Sequence, residues 1–524
     1  MIAGIDRDSH QSQSRWAPAV PARSRALRYA IEDCLLTTSG SLREQAARGV
    51  FWTAVQRWGT SAITFINFTI LARLLGPEAY GLVALASVVI AFCSVFLDEG
   101  FSTAIIQRAE LEPEHLDSAF WATVGLGLLL TMGSLAAAGV VARGFHEPGI
   151  RPIFPWLCLS LPISSLAGVQ DAILRRSLNF RGLAIRSLAA AIAGMAIAQP
   201  LAFGGYGVWS LVWAQLASAT VGTAALWRAT GWRPRVLFSV RHFRDLVGFG
   251  SRMVGTSLLY FFDRRASDFL IGYFLGPAAL GLYNMASRLV FLVVDVLTGI
   301  GAQVSVPAFS RIQNDPSRLR TALSESIQFA SLIAVPCFVG MAAIAPEVIK
   351  VLVGSKWLGS VPVLRALCAL GIVYAVCFPT NAILTALGRV EWILRLELLQ
   401  TVSTVVLLVF VVHWGITAVA IAYAGRLVAL SPIRIALANR LIAMDVRSYL
   451  RCYAAAIAGA GAMLVGLAAL NAATAGKLPP LGLLVTEVLF GAVVYSTTTF
   501  WLAPALWQRA FEFVRLAIPG TRDS

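Results

Sequence analysis

The feature that most constrains this chain is a series of apolar stretches, each about 20 residues long, recurring from Val50 to Leu502 with no gap large enough for a soluble domain. In hydrocarbon such a stretch satisfies its backbone polar groups only by closing its own hydrogen bonds, so each reads as a membrane-spanning helix. The composition agrees: 58% of the 524 residues are hydrophobic, 13% are charged, and the mean hydropathy is +0.74. No soluble core hides that much apolar side chain. The expected fold class is an all-α polytopic membrane protein of about 14 transmembrane helices. A globular catalytic domain has no room, so no catalytic residue and no cofactor are assigned.

The expected spans lie near 50–74, 80–99, 118–142, 152–174, 184–203 and 206–227, then 246–274, 280–305, 323–345, 361–386, 394–412 and 416–436. Two more follow near 452–471 and 481–503. Residues 1–45 are polar, lack the apolar core of a signal peptide, and read as a disordered cytosolic tail. The organisation is then a first lobe over 46–228, a cytosolic linker over 229–245, a second lobe over 246–450, and a last pair of spans with a cytosolic tail over 451–524.

The net charge of +15 does not indicate nucleic-acid binding, because the arginines sit in short loops rather than on a basic soluble surface. They crowd the even-numbered loops, for instance Arg175, Arg176, Arg181 and Arg186 after the fourth span. The odd-numbered loops hold only Arg143, Arg151, Lys350, Lys356 and Lys477. The positive-inside rule therefore places both termini and the even loops in the cytosol. The seven cysteines form no Cys-x-x-Cys pair and lie mostly within apolar spans, so neither a disulfide framework nor a metal site is expected.

The two halves repeat. Residues 70–87 read ILARLLGPEAYGLVALAS and 270–287 read LIGYFLGPAALGLYNMAS, with Leu-Gly-Pro, Gly-Leu and Ala-Ser in register 200 residues apart. Ala172-Ile173-Leu174 has its echo in Ala382-Ile383-Leu384. Six spans separate the matched positions, so both copies cross the membrane in the same direction, as a parallel repeat about an axis along the membrane normal. Two six-helix lobes facing a central cavity, plus two C-terminal helices outside the repeat, follow from that arrangement.

Several charges fall where a bilayer tolerates them only beside a partner or a wet cavity. The first span carries Arg57, Ser61, Thr64 and Asn67 on one face. The seventh, its repeat mate, carries Arg252, Thr256, Tyr260 and Asp263, with Arg264 and Asp268 beyond. Arg264 and Asp268 are spaced to pair within the helix, and the consecutive Asp263, Arg264 and Arg265 cannot all face one lumen. The eighth span adds Arg288 and Asp295, and the twelfth Arg426. Guanidinium groups hold phosphate oxygens bidentately and stay charged. Arg57, Ser61, Thr64, Asn67, Arg252, Thr256, Tyr260, Arg264 and Arg288 are thus the candidate lining of a cationic cavity. Asp268, Asp295 and Asp98 are candidates for coupling or gating. The competing reading is that these charges neutralise one another between helices.

The stretch ARLLGPEAYGLVALASVVIAFCSVFLDEGFSTAIIQRAEL, followed by Phe120-Trp121, resembles the opening of polysaccharide transporter family proteins. These are flippases of the Wzx type within the multidrug/oligosaccharidyl-lipid/polysaccharide exporter superfamily. Arg264-x-x-x-Asp268-x-x-Ile271-Gly272, then Leu275-Gly276, Leu280-Gly281 and Tyr283, resembles that family too. The resemblance covers roughly residues 40–450. It implies two lobes around a V-shaped cavity in the bacterial inner membrane and an undecaprenyl-diphosphate-linked oligosaccharide as substrate. Membrane lipids and glycan polymerase or assembly proteins are the partners it implies. A multidrug exporter of the same superfamily shares the lobes, but organic cations favour acidic or aromatic cavities. A P-loop ATPase is excluded by the lack of GxxxxGK[ST]. A glycan polymerase should expose a large periplasmic loop, and the longest expected here, near 346–360, is too short.

Overall fold

The computed structural model describes residues 49–108, 111–442, 444–474 and 479–509. The expected tail over 1–45 lies outside them. The first half comprises α1 (49–74), α2 (Pro77–Gly100), α3 (Ser102–Gln107), α4 (Pro113–Gly144), α5 (Ile150–Cys158), α6 (Ser160–Ser165), α7 (Gly168–Arg176), α8 (Phe180–Phe203) and α9 (Val208–Thr230). The second comprises α10 (Val240–Arg311), α11 (Pro316–Ala343), α12 (Ala345–Leu352), a tight helical turn over Ser355–Ser360, α13 (Val361–Ala386), α14 (Val390–Val411), α15 (Ile416–Ile442) and α16 (Val446–Arg451). A final hairpin is formed by α17 (Ala454–Thr474) and α18 (Pro480–Leu502). The described residues contain no strand.

Every expected span falls on helix, yet among the described residues only ten helices are long and apolar enough to cross a membrane, or eleven if the bent pair Ile150–Ser165 and Gly168–Arg176 is one span. The shortfall against 14 has physical causes. Val254–Gly299 registers as one stretch but is broken at Gly276, where φ is 81°. A Cβ on Gly272 of the first arm would come within 3.4 Å of the Leu280 side chain of the second, so the chain doubles back there. Helices α1 and α9 are diluted by polar residues such as Arg57, Asn67 and Gln215. The fourth span was read as one helix over 152–174; it is three short helices, because Pro155, Pro162 and Gly168 interrupt the ladder.

Lipid supplies the outer solvent. Met132 is 71% exposed and Val465 72%, positions that only hydrocarbon makes comfortable. The interior packs around Phe154, Phe338 and Trp357, all fully buried. The terminal hairpin docks on α11 through Val335, Ala456, Ala460 and Met463, and Tyr495 donates its hydroxyl to the Leu332 carbonyl at 2.9 Å. In the loop before α11, Asp315 accepts from the backbone N–H of Ser317 and Arg318. The Ser317 hydroxyl, then the Arg318 N–H, hold its carboxyl below the usual range.

Candidate functional site

The site begins where the two repeat copies meet. Pro77 opens α2 and Pro277 opens the second arm of α10, each directly after a glycine that breaks the preceding helix. A Cβ added at Gly81 would overlap the carbonyl of Pro277, and one at Gly281 would overlap the carbonyl of Pro77. Only glycine lets the two backbones approach this closely, and the contact is reciprocal, as for surfaces related by a two-fold axis. Around it, Trp357 donates Nε1 to the Ala72 carbonyl at 2.8 Å, and Arg73 donates to the Leu352 carbonyl at 2.9 Å and to that of Val351. The rings of Phe68, Tyr80 and Trp357 stack edge to face, 5.3 and 5.6 Å between successive centroids. Backbone, aromatic and guanidinium contacts together seal one end of the lobe interface.

Next to the seal lies a cavity of about 760 Å³. Helices α1, α2, α8 and α9 wall it on one side, and both arms of α10 with α13 and α15 on the other. Thr64, Asn67, Arg264, Asp268 and Arg288, expected from the sequence, all line it. Arg288 places its guanidinium carbon 4.4 Å above the Phe68 ring. Among the described residues neither Arg264 nor Arg288 has a hydrogen-bond or ion-pair partner. A second hollow of about 600 Å³ shares Ser87, Gln215, Arg264 and Arg265 with the first and reaches Tyr260.

The charged side chains sort differently from the expectation in two places, the partner of Asp268 and the direction of Asp263, while Asp263, Arg264 and Arg265 do not all face one lumen. Asp268 pairs with Arg265 at 2.9 Å, three residues back, not with Arg264. Arg264 and Arg265 both face the cavity, since adjacent positions differ by only about 100° around a helix and the cavity is wide. Asp263 turns away to meet Arg426 at 3.5 Å and accepts from Thr404 at 3.1 Å. That pair is dry, with both side chains under 10% exposed. For these two residues, mutual neutralisation is the right reading. Removing one partner should cost about 3–5 kcal/mol of stability, whereas Asp263→Asn with Arg426→Met should be nearly neutral. Thermal unfolding in detergent of the single and double variants checks this.

Arg57 does not line the cavity. Its guanidinium lies 3.6 Å from the Asp295 carboxylate and 3.2 Å from the Asp295 carbonyl oxygen, in an exposed contact between the lobes. Sixteen residues separate Arg57 from Arg73 on α1, so this contact sits about 24 Å along the helix from the seal. Ser61 and Thr256 are absent from the cavity wall as well. The side chains of Arg252 and Asp98 lie outside the described residues. Sequence reasoning missed Tyr80, Trp357, Tyr374 and Tyr423, whose rings also line the cavity. An aromatic in an apolar span carries no mark that separates lining from core, and Trp357 falls in the expected loop near 346–360.

One cluster elsewhere has metal-ligand chemistry: Glu112, His115 and His242 bring ligand atoms within 4.8 Å of one another. Their contacts form a helix cap and a pair between the first lobe and the start of α10. The Glu112 N–H donates to His115 Nδ1 at 3.2 Å, and His242 Nε2 meets Glu112 Oε2 at 2.9 Å.

Two helical bundles around a cationic cavity, sealed at one end of their interface, define a membrane transporter of the alternating-access kind. More narrowly, the chain belongs to the polysaccharide biosynthesis protein family, whose profile matches residues 70–362. It is similar to the succinoglycan biosynthesis transport protein ExoT of Rhizobium meliloti, at 28% identity over 68% of this chain and 72% of that one. It is similar to the lipopolysaccharide biosynthesis protein WzxC of Escherichia coli, at 24% identity over 69% and 74%. The fold matches that of the lipid II flippase MurJ in an inward closed conformation, with a TM-score of 0.72 at 14% identity over 87% of this chain and 99% of that one. An inward-facing multidrug MATE transporter shares it more loosely, with a TM-score of 0.57 at 20% identity over 74% and 98%. At such identities these structures speak for the fold alone.

Proposed function

We propose that this protein is a flippase that moves a polysaccharide precursor, an oligosaccharide on an undecaprenyl diphosphate, across the bacterial cytoplasmic membrane by alternating access. The observation that carries the reading is the pair of unpartnered guanidiniums, Arg264 and Arg288, on the wall of the interlobe cavity. A charged group in a membrane interior without a counter-ion needs an anionic visitor or water, and a diphosphate is the anion that fits guanidinium geometry. Thr64, Asn67 and the tyrosines supply hydrogen bonds and ring faces for the sugar that follows. Transport of this kind is binding and release, with no bond made or broken. A drug exporter is less well served, because Asp268 is already neutralised by Arg265 and the remaining cavity charge is positive.

By the positive-inside rule the glycine seal is periplasmic and both termini are cytosolic. The lobes are taken as 46–228 and 246–450, with Asp295 and Arg57 as a latch on the cytosolic side and Asp268 as a residue whose pairing changes during the cycle. Product released to the periplasmic leaflet would pass to a glycan polymerase or assembly protein. Deleting the gene should abolish the surface polysaccharide while the lipid-linked precursor accumulates on the cytosolic leaflet. Unchanged polysaccharide together with hypersensitivity to organic cations would instead select the exporter. The latch has its own test. Arg57→Asp should lower transport several-fold by removing the ion pair and turning a like charge towards Asp295, and Arg57→Asp with Asp295→Arg should restore it. If the double variant is no better than the single, the pair is not a latch.

A further inference from the structure

We infer that the first lobe carries a separate subsite for a sugar ring of the substrate, held by Asp171 and Arg186. The inference rests on the flippase reading above. A polar hollow of about 520 Å³ opens between α3, α6–α7, α8 and α9, away from the guanidiniums of Arg264 and Arg288. Ser218 lines both this hollow and the interlobe cavity, so the two adjoin.

Its chemistry differs from that of the main cavity. Gly168, Gly222, Ala167 and Ala219 keep part of its wall small, and Ser102, Ser164, Ser218 and Thr223 supply hydroxyls. No aromatic side chain lines it. The positive-inside rule uses Arg175 and Arg186 as topology markers in a cytosolic loop, and Asp171 falls near the end of the fourth expected span, 152–174. The structure turns all three into this hollow, where Arg175 bonds one Asp171 oxygen and Arg186 Nη1 stands 3.6 Å from the other. That distance is too long for a hydrogen bond. Asp171 Oδ1 and Arg186 Nε are both buried atoms with no hydrogen-bond partner. The pair therefore leaves hydrogen-bonding capacity unmet at the edge of a hydroxyl-lined hollow to which both side chains stay partly exposed, 19% for Asp171 and 34% for Arg186. Leaving such atoms unmet is costly, and a structural ion pair has no need to do so. Adjacent hydroxyls of a pyranose present the complementary set, one O–H to donate to the carboxylate and one oxygen to accept from the guanidinium. A phosphate only accepts, so it leaves the Asp171 carboxylate without a donor, whereas the polyhydroxylated part of the precursor serves both partners and is the ligand class.

The test compares two lipids in proteoliposomes of the full chain: an undecaprenyl diphosphate bearing an oligosaccharide, and undecaprenyl diphosphate with no sugar. Asp171→Asn keeps size and shape while removing the acceptor charge, and Arg186→Gln removes the donor. Each is expected to slow the glycan-bearing lipid about tenfold, the loss typical of a hydrogen bond to a charged group, and to leave the sugar-free lipid within twofold of the unsubstituted protein. Ser164→Ala, with a smaller effect in the same direction, guards against misfolding of either charge variant. Equal slowing of both lipids, or of neither, overturns the subsite while leaving the flippase reading in place. An unsubstituted protein that moves neither lipid overturns the flippase reading, and the subsite falls with it.

Discussion

Replacing Arg264 and Arg288 together with alanine is expected to reduce translocation of an undecaprenyl-diphosphate oligosaccharide about a thousandfold, with each single variant down about ten- to a hundredfold. The magnitude follows from what the side chains lack at rest. Neither forms an ion pair or hydrogen bond among the described residues, so neither removal strands a buried counter-ion or opens a structural gap. The loss should therefore appear in transport and not in stability. A hydrogen bond to a charged group contributes about 1.5–3 kcal/mol, and each 1.4 kcal/mol is a factor of ten. Arg288 adds its contact with the Phe68 ring at 4.4 Å, which holds the guanidinium at a fixed place on the wall. Lysine should rescue each position only in part, because an ammonium keeps the charge but cannot grip two phosphate oxygens in a plane. The measurement is the initial flipping rate in proteoliposomes at matched protein content, with melting temperature as the control. Rates near those of the unsubstituted protein for the double variant would remove these side chains from substrate binding.

The contrast with Arg57 shows which parts of the site were legible in the sequence. A polar residue at a helical spacing announces that its face is not lipid, and on that ground Thr64, Asn67, Arg264 and Arg288 were all placed on the cavity wall. What meets that face is another matter. Asp295, the partner of Arg57, lies 238 residues away, and nothing in a single sequence ties the two together. The four-residue spacing pointed to Arg264 as the partner of Asp268, although a three-residue spacing brings Arg265 within reach as well. Tertiary context settled it, and it also drew Asp263 out of the stripe towards Arg426 on α15. The hollow around Asp171 was hidden for a third reason. Arginines near a span end satisfy the topology rule whether they point to water or inward, so the rule does not register their direction. The fold was more open to reading because it rests on hydropathy and repetition, which survive without knowledge of contacts. The span count fell short where that signal is diluted, at α1 and α9, and where proline and glycine split one crossing into α5, α6 and α7.

Repetition carried more than topology, and its largest consequence is the expected effect of Gly81→Leu and Gly281→Leu. The motif Leu-Gly-Pro-x-x-x-Gly occurs at 75–81 and again at 275–281, and the structure brings the two copies together so that each glycine meets the proline carbonyl of the other. A side chain at either position overlaps backbone, which cannot rotate away as a flexible side chain would. The seal then cannot close as it stands. In a state with the lobes parted at this end the same side chain has room, so the substitution penalises one state and spares the other. Overpacking typically costs about 1–3 kcal/mol per site, and inverting a closed-to-open ratio from 99:1 to 1:99 takes about 5.5 kcal/mol. The double substitution is therefore expected to hold most molecules open to the periplasm, and either single one to shift the balance partway. The repeat adds a sharper condition. Because the contact is reciprocal, Gly81→Leu and Gly281→Leu should shift the equilibrium by similar amounts despite lying in different lobes. A cysteine-free background carrying Asn284→Cys on the cavity wall reports the state through its labelling by a membrane-impermeant maleimide added from the periplasmic side. The reporter should be protected in the parent and labelled in the double variant, with transport lost in step because the cycle can no longer return through its sealed form. A reporter that stays protected in a correctly inserted double variant would mean that this contact is packing alone and that the periplasmic gate lies elsewhere.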